Sequence, residues 1–200
     1  MAVVNNSTHE ITCKIVYYGP GMCGKTSNLQ YLYRNPIGTN RSEIVSLATP
    51  GERTLYFDFL PINIAEIDGM KVKFGLYTVP GQVMYDATRK LVLRGADGVV
   101  FVADSQWDIM DENVESWDNM VKNLDDHGMN INEIPYIIQY NKRDLASVAP
   151  RWYMEYLLNP NGVPAYDAVA INGTGVYDTL FAVCRYVIRN LVNHLATGTF

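Results

Sequence analysis

Residues 17–33 read YYGPGMCGKTSNLQYLY and join the end of an apolar run to a segment with helical character. The stretch holds three glycines, one proline and a Lys-Thr pair, which is more glycine than a simple turn needs. Residues 19–26 match G-x-x-x-x-G-K-[ST], the pattern of a phosphate-binding loop when it follows a strand and opens a helix. That context is present here. The sequence therefore predicts a nucleoside triphosphate site rather than a glycine-rich turn with an accidental Lys-Thr pair.

Each residue type in this loop has a predicted task. Glycines let backbone N–H groups surround a phosphate, and the start of the helix adds partial positive charge. The Lys25 ammonium would bridge the β- and γ-phosphate oxygens and assist catalysis there, and the Thr26 hydroxyl would bind Mg²⁺. The predicted phosphate-site residues are Gly19, Gly21, Met22, Cys23, Gly24, Lys25, Thr26 and Ser27.

A second motif predicts which base is bound. Asn141-Lys142-Arg143-Asp144 follows the apolar run 134–140. An aspartate there can accept hydrogen bonds from guanine N1–H and the exocyclic amine, whereas adenine would leave the carboxylate unpaired. Asp144 therefore favours GTP and opposes an ATPase. Asn141 would hold the loop and reach the base, and the stem of Lys142 would cover the ring.

A looser third element lies at the end of the next predicted strand. Residues 169–173 read VAING and are placed to give backbone N–H groups to the base oxygen. Ala170 and Ile171 are the candidate donors.

The rest of the chain alternates predicted strands with predicted helices, which indicates βαβ crossovers and a mostly parallel sheet. We predict an α/β fold of three layers, with helices on both faces of the sheet, in a single domain spanning residues 1–200. Asp68-Gly69 between two alternating runs predicts a hairpin. Apolar residues at helical spacing predict the inward faces of two helices, at 108–126 and 175–195. The predicted strands are 11–19, 53–67, 70–81, 98–105, 134–141 and 165–171; the predicted helices are 25–35, 86–95, 108–126, 150–159 and 175–195; and the predicted inward residues are Met110, Val114, Trp117, Val121 and Leu124 in the first of the two helices and Val176, Leu180, Val183, Val187 and Leu191 in the second.

Composition restricts the class of protein. The net charge of −5 without a basic block disfavours bulk binding to nucleic acid, and three cysteines fit a reducing compartment. The N-terminus lacks the features of a signal peptide, and no apolar run is long enough to cross a membrane. Alanine at position 2 and the C-terminal ATGTF offer no lipid attachment signal. We expect a cytoplasmic protein with no direct membrane anchor.

At this level the chain resembles small Ras-like GTPases over residues 11–192. More narrowly, it is similar to the bacterial MglA family, whose members set front–rear polarity in gliding and twitching cells. The resemblance implies a P-loop GTPase fold, GTP or GDP with Mg²⁺ as ligands, and slow hydrolysis that a partner stimulates. The segments that carry it are KIVYYGPGMCGKTSNLQYLY, RTLYFDFLP, LYTVPGQVMYDATRKL, DGVVFVADSQ and IPYIIQYNKRDL.

One departure from eukaryotic Ras-like proteins concerns the metal. Their pattern D-x-x-G-Q is here Thr78-Val79-Pro80-Gly81-Gln82, a substitution that MglA-like sequences share. Thr78 could bond to a metal-bound water but supplies no charge. Asp58 is the one nearby carboxylate expected from the sequence to compensate, and a structural or solvated aspartate is the alternative. The departure therefore predicts either weaker Mg²⁺ binding or slow unaided hydrolysis.

The resemblance also implies catalytic roles. The Gly81 N–H would sense the γ-phosphate, Gln82 would orient the attacking water, and Thr54 would ligate Mg²⁺ when GTP is bound. Arg53 would act as an arginine finger carried in cis, and a surface arginine is the alternative. The two switches would be residues 38–54 and 78–92.

The partners implied by the resemblance are a roadblock-fold activating protein related to MglB, response-regulator-like polarity proteins, and motility or pilus machinery. Such partners would recruit the protein to a cell pole. Arg89, Lys90 and Arg94 could meet an acidic partner, or could form a solvated helix face. The rival to the switch is a nucleotide-binding scaffold with little or no hydrolysis, which would need neither Gln82 nor Arg53.

Overall fold

The computed structural model describes residues 2–5, 7–36, 45–46, 58–67, 69–82 and 85–197. Strands and helices alternate through most of this part of the chain. The strands are β1 (Val3–Asn5), β2 (Glu10–Tyr18), β3 (Val45–Ser46), β4 (Asp58–Ile67), β5 (Met70–Thr78), β6 (Gly98–Asp104), β7 (Tyr136–Asn141) and β8 (Ala165–Asp167). The helices are α1 (Lys25–Arg34), α2 (Asp86–Leu93), α3 (Met110–Asp125), α4 (Arg151–Leu158) and α5 (Val176–Thr197), and a 3₁₀ turn at Trp107–Ile109 precedes α3.

The described strands form one sheet in the order β3-β4-β5-β2-β6-β7-β8, with β1 paired to β2. β2 runs parallel to β5 and β6, and β7 runs parallel to β6 and β8. The antiparallel pairs are β1–β2, β3–β4 and β4–β5. The predicted mostly parallel α/β sheet is confirmed, and the short strands β1 and β3 are additions that the sequence did not predict.

The predicted hairpin is also confirmed. β4 and β5 pair antiparallel with Ile67 opposite Met70, and Gly69 has a φ of 76°. Asp68 lies outside the described residues. Since a left-handed residue suits a tight hairpin turn, the glycine at position 69 fixes the register of the two strands.

Two apolar clusters cover the two faces of the sheet, as three layers require. On one face α1 and α5 pack on β2 and β5, and all five predicted inward residues of α5 are buried. On the other face α2, α3 and α4 pack on β6 and β7. Helices therefore cover both faces of the sheet. The near-continuous apolar runs of β6 and β7 predict this, because such strands are buried on both faces.

The buried face of α3 differs from the predicted apolar stripe. Met110 and Leu124 are buried, but Val114, Trp117 and Val121 are only half-buried. Asn113, Ser116 and Asn123 are buried instead. Their burial has a physical reason, because each has a hydrogen-bond partner on a neighbouring element. Asn113, for example, accepts from the Asp104 N–H and donates to the Asp104 carbonyl.

Two predicted strands end early. β5 stops at Thr78 rather than residue 81, because Pro80 cannot donate to a ladder and the chain leaves the sheet there. β8 stops at Asp167, since residues 169–174 form a turn closed by the pairing of Val169 with Thr174.

Candidate functional site

The carboxyl ends of four parallel strands meet at one edge of the sheet, where ligands of open α/β sheets bind. β2 leads into the loop 19–24, β5 into residues 79–82, β6 into Ser105 and Gln106, and β7 into Lys142. These segments line a cleft of about 1000 Å³. Its lining residues are Pro20, Gly21, Met22, Gly24, Lys25, Thr26, Ser27, Val79, Pro80, Gly81, Gln82, Tyr85, Asp104, Gln106, Ile109, Glu112 and Lys142.

The loop between β2 and α1 has the backbone that a phosphate cradle needs. Gly19, Met22 and Gly24 have φ values of 143°, 59° and 105°. A Cβ at Gly19 would collide with the Val102 carbonyl, and one at Gly24 with the Asn141 amide nitrogen. Glycine is thus required at both positions by conformation and space.

The open side of this loop faces the cleft. Around Gly21 the nearest neighbour of a Cβ would be the Gly81 carbonyl carbon at 4.0 Å. Met22 is exposed at the cleft, while Cys23 is buried. The loop therefore fits a phosphate group bound by main-chain N–H groups.

Lys25 holds its ammonium inside the loop. Its Nζ donates to the Gly19 carbonyl at 2.9 Å and to the Pro20 carbonyl at 2.5 Å. The side chain is buried, and this burial lowers the pKa of Lys25 below its ordinary value. A bound phosphate would supply the negative charge that stabilises the protonated form.

The first turn of α1 provides the other predicted ligands. Gly24 is its N-cap and gives no side-chain cap, so the first N–H groups of the helix are available to an anion. Thr26 and Ser27 are half-exposed on this turn and line the cleft. The Thr26 hydroxyl is thus placed where it would hold a Mg²⁺ ion that also binds phosphate oxygens.

Residues 79–82 lie against the phosphate loop. A Cβ at Gly81 would come within 2.7 Å of both the Gly21 nitrogen and the Pro20 carbonyl oxygen. Gln82 is exposed at the cleft, and its carbonyl accepts from the Tyr85 N–H. The structure thus brings the predicted γ-phosphate sensor and water-positioning residue to the phosphate loop.

The predicted arginine finger Arg53 and the predicted Mg²⁺ ligand Thr54 lie outside the described residues. So do most of the predicted first switch and the side chain of Asp58. Thr78 ends β5 and is buried. The roles of Arg53, Thr54 and Asp58 remain predictions.

Asn141 joins three loops of the candidate base site. It is buried, its Nδ2 donates to the Cys23 carbonyl at 2.7 Å, and its Oδ1 accepts from the Ala170 N–H at 2.8 Å. Both polar ends of the amide therefore bind backbone, which ties the β7 loop to the phosphate loop and to residues 168–173. The Ala170 N–H already donates to Asn141, so the predicted hydrogen bond from Ala170 to the base is not available in this arrangement. The Ile171 N–H makes no hydrogen bond within the described part of the chain and is the free donor of the pair.

Lys142 and Asp144 follow on the same loop. Lys142 has a φ of 63°, and its Nζ lies 2.5 Å from Asp104 Oδ2. Asp144 is exposed beside the cleft. The carboxylate is thus open to a base that Lys142 would cover.

Sequence reasoning missed two carboxylates of the cleft, and the expectation that Asp58 is the one nearby carboxylate was wrong. Asp104 and Glu112 line the cleft. Asp104 is buried and also accepts from the Gln106 N–H at 3.1 Å. Its position as the last residue of a buried parallel strand was the signal that could have found it.

Arg89 is not part of an exposed basic cluster, which corrects that expectation. Its side chain is fully buried, and Nη2 donates to Ser116 Oγ at 2.7 Å. Its guanidinium carbon lies 4.5 Å from the centroid of the Tyr18 ring, directly before the phosphate loop. Within the described chain, Nε and Nη1 of Arg89 have no hydrogen-bond partner. Lys90, by contrast, is on the surface and pairs with Asp126.

Comparison with known proteins gives the family. A model described as the Ras family matches residues 14–189. The chain belongs to the Ras family. It is 54% identical over 191 residues to the mutual gliding-motility protein MglA of Myxococcus xanthus, covering 96% of this chain and 98% of that protein. It is also 23% identical to the Ras-related protein Rab-8B of Pongo abelii, covering 92% of this chain and 82% of that protein, and 24% identical to RAB1BV of Beta vulgaris, covering 74% and 67%.

Membership of the Ras family, with MglA among its relatives, makes this chain a GTPase. Ras-family proteins bind GTP and GDP together with Mg²⁺, which agrees with the donors that the cleft offers. Within the described ranges, no helix is both long enough and apolar enough to span a bilayer.

Proposed function

We propose that this GTPase is a molecular switch for cell polarity in gliding motility, which binds different partners in its GTP and GDP forms. The observation that carries the proposal is the contact between Gly81 and the phosphate loop at Gly21. A γ-phosphate at that loop must act on the Gly81 segment directly, so nucleotide state and chain conformation are coupled. The similarity to a mutual gliding-motility protein supports the cellular role.

The chemistry is phosphoryl transfer, in which the protein positions groups and neutralises charge. Loop N–H groups and the Lys25 ammonium hold the β- and γ-phosphates. Gln82 orients the attacking water, and Arg53 brings a guanidinium to the developing charge. Thr26 and Thr54 would hold Mg²⁺, which would neutralise charge on the phosphates.

Asp144 and Asn141 have different tasks in base selection. Asp144 accepts from the guanine Watson–Crick edge, and the Ile171 N–H donates to the base oxygen. Asn141 acts through the backbone, because both ends of its amide already bind main-chain groups.

Unaided hydrolysis is slow. Thr78 brings no charge to the metal, and the buried carboxylate of Asp104 is paired with Lys142 rather than free. A roadblock-fold activating protein related to MglB then accelerates turnover by holding the switch that carries Arg53. Loss of the γ-phosphate contacts at Thr54 and Gly81 releases residues 38–54 and 78–92, and partner choice changes. The polarity proteins and motility machinery bind the GTP form and recruit it to a pole.

The test is GTP turnover by the pure protein, alone and with an MglB-like roadblock protein. We expect slow turnover alone and a large stimulation, on the order of 10³-fold or more if the arginine enters the site.

Arg53→Ala should remove most of the stimulation while GTP affinity stays nearly intact, and Arg53→Lys should rescue little because an ammonium lacks the planar fork. Undetectable turnover under both conditions would favour the scaffold.

Nucleotide specificity is tested separately by calorimetry. Asp144→Asn should shift preference from guanine toward xanthine nucleotides, and Asp178→Asn is the matched change of an exposed carboxylate on α5. Lys25→Ala and Thr26→Asn should severely weaken GTP binding. Unchanged affinity in either variant would remove the phosphate-loop assignment.

A further inference from the structure

Four aromatic side chains lie on α4 or in the 3₁₀ turn that contacts it, and three of their rings are in contact. Trp107 and Tyr153 have centroids 5.0 Å apart, and Tyr153 and Trp152 have centroids 5.9 Å apart. Tyr156 follows one turn after Trp152. We call Trp107, Trp152, Tyr153 and Tyr156 the aromatic face.

This face is unusually open for its composition. Trp152 is 71% exposed, Tyr156 81% and Trp107 44%. Met154 and Leu158 are buried and form the inward side of α4. The packing of the domain therefore does not require aromatic residues on the outer side, where a solvated helix would carry charged ones. Contiguous exposed apolar surface of this kind marks interaction sites.

An acidic stripe begins beside Trp107 in the 3₁₀ turn and continues along α3. Asp108, Asp111, Glu115 and Asp118 are all exposed, and none makes an ion pair within the described ranges. α3 has no basic residue before Lys122. Val114 and Trp117 of α3 pack in the same cluster as Tyr153 and Leu157 of α4, so the two helices lie side by side.

The basic residue that begins α4 already has acidic partners. Arg151 on α4 pairs with Glu155 at 3.2 Å and with Asp167 at 3.5 Å. The combined surface thus offers apolar rings beside unpaired negative charge. Charge complementarity selects a positively charged occupant and disfavours the anionic surface of a bilayer.

We infer that the aromatic face and the acidic stripe form a docking site for a basic segment of a protein partner, whose apolar side chains contact the rings while its Lys or Arg residues meet the carboxylates. Tryptophan and tyrosine are the residues that most often dominate such interfaces. The inference goes beyond the proposed switch. All of its elements lie outside residues 38–54 and 78–92, so binding at this site does not depend on the γ-phosphate.

The probe is a synthetic amphipathic helical peptide of leucine and lysine. The control peptide has glutamate in place of lysine and therefore carries the opposite charge. Fluorescence anisotropy of the labelled peptides is measured with the full chain in its GDP form and with a non-hydrolysable GTP analogue. We expect the lysine peptide to bind both forms equally, and the glutamate peptide not to bind.

Two variants and two matched controls locate the site. Trp152→Ala/Tyr156→Ala and Asp111→Asn/Glu115→Gln/Asp118→Asn should each weaken binding by about tenfold or more. The aromatic control is Tyr33→Ala/Tyr186→Ala, which removes exposed rings on α1 and α5. The charge control is Asp125→Asn/Glu133→Gln/Asp178→Asn, which removes three exposed carboxylates elsewhere. Thermal unfolding of each variant shows that it remains folded.

Several results overturn the inference. Absence of binding, equal losses in the controls, or equal binding of the glutamate peptide would each remove the site. Sedimentation with phosphatidylglycerol vesicles that is lost in Trp152→Ala/Tyr156→Ala would make the face a membrane contact instead. A failed GTPase assay with intact peptide binding would affect the proposed switch alone.

Discussion

The backbone of Gly81 packs directly on the backbone of Gly21, with no room between them for a side chain at position 81. A Cβ there would lie 2.7 Å from the Gly21 nitrogen and from the Pro20 carbonyl oxygen, and all of these are main-chain atoms. A main-chain neighbour cannot rotate away as a flexible side chain can. The segment after β5 therefore reaches the phosphate loop only with glycine at this position.

Gly81→Ala should separate hydrolysis from nucleotide affinity. The added methyl displaces residues 80–82 from the phosphate loop, while the loop that holds GDP is unchanged. We expect GDP affinity to stay within about threefold and single-turnover GTP hydrolysis to fall on the order of 10²-fold, as misplacement of a catalytic group by about 1 Å can do. Gly128→Ala is the remote control: a Cβ there has no neighbour within 4 Å, and the φ of 69° adds only local backbone strain. Hydrolysis at the wild-type rate in Gly81→Ala would show that this contact is not used in turnover.

The parts of the molecule that the sequence predicted are those whose structure is set by residues close together in the chain. Helical spacing identified the buried residues of α5, because a 3.6-residue period places Val176, Leu180 and Val183 on one face. The glycine at position 69 predicted the β4–β5 hairpin. The phosphate loop was found from residue types in a required order, and its backbone has the predicted open side.

The parts that the sequence did not predict depend on contacts between distant elements. Arg89 looks like a surface residue because arginine usually is one, yet Tyr18 and Ser116 enclose it. Asn123 interrupts the apolar stripe of α3 because it bonds to Tyr18 and Asp86. Periodicity of a single helix carries no information about such partners.

Ionisation of Asp86 should make the free energy of unfolding fall as the pH is lowered into the acid range. Hydrogen bonds from Asn123 at 2.9 Å and from Asn119 at 2.7 Å lower the pKa of this carboxyl. A lowered pKa contributes stability that is present above the ordinary pKa of aspartate, about 4, and is lost as pH falls through the folded value. We expect Asp86→Asn to be less stable than wild type near neutral pH, with the difference shrinking below about pH 4. Urea midpoints measured across this range test the expectation, with Asp118→Asn as the exposed control. A difference that stays constant with pH would show that the carboxylate charge is not involved.

Arg89 should be replaceable by an apolar residue of similar length. Its guanidinium is buried with two nitrogen atoms, Nε and Nη1, that lack partners in the described chain, and leaving such donors unpaired costs free energy. Stacking on Tyr18 and the bond to Ser116 offset part of this cost. We expect Arg89→Met to leave the free energy of unfolding unchanged or to raise it, as replacement of buried charge often does. Arg89→Lys should be less stable than Arg89→Met. An ammonium is more strongly hydrated in water than a guanidinium, so burying it costs more free energy. A loss above about 2 kcal/mol in Arg89→Met would mean that the charge contributes more than the described contacts account for.

Asp104 should control how long GDP stays bound, through Lys142. The 2.5 Å contact between Lys142 Nζ and Asp104 Oδ2 holds the lysine at the edge of the cleft, and Asp104 is itself fixed by the Gln106 N–H. Asp104→Asn keeps the shape of the side chain and its bond to Gln106 but removes the charge that attracts the ammonium. We expect GDP to dissociate about tenfold faster, since a hydrogen bond to a charged group contributes about 1.5–3 kcal/mol. The control is the double-mutant cycle with Lys142→Met, measured by release of a fluorescent GDP analogue. If Asp104 acts by positioning Lys142, Asp104→Asn should add little in the Lys142→Met background. Fully additive effects would instead mean that Asp104 shapes the cleft independently of the lysine.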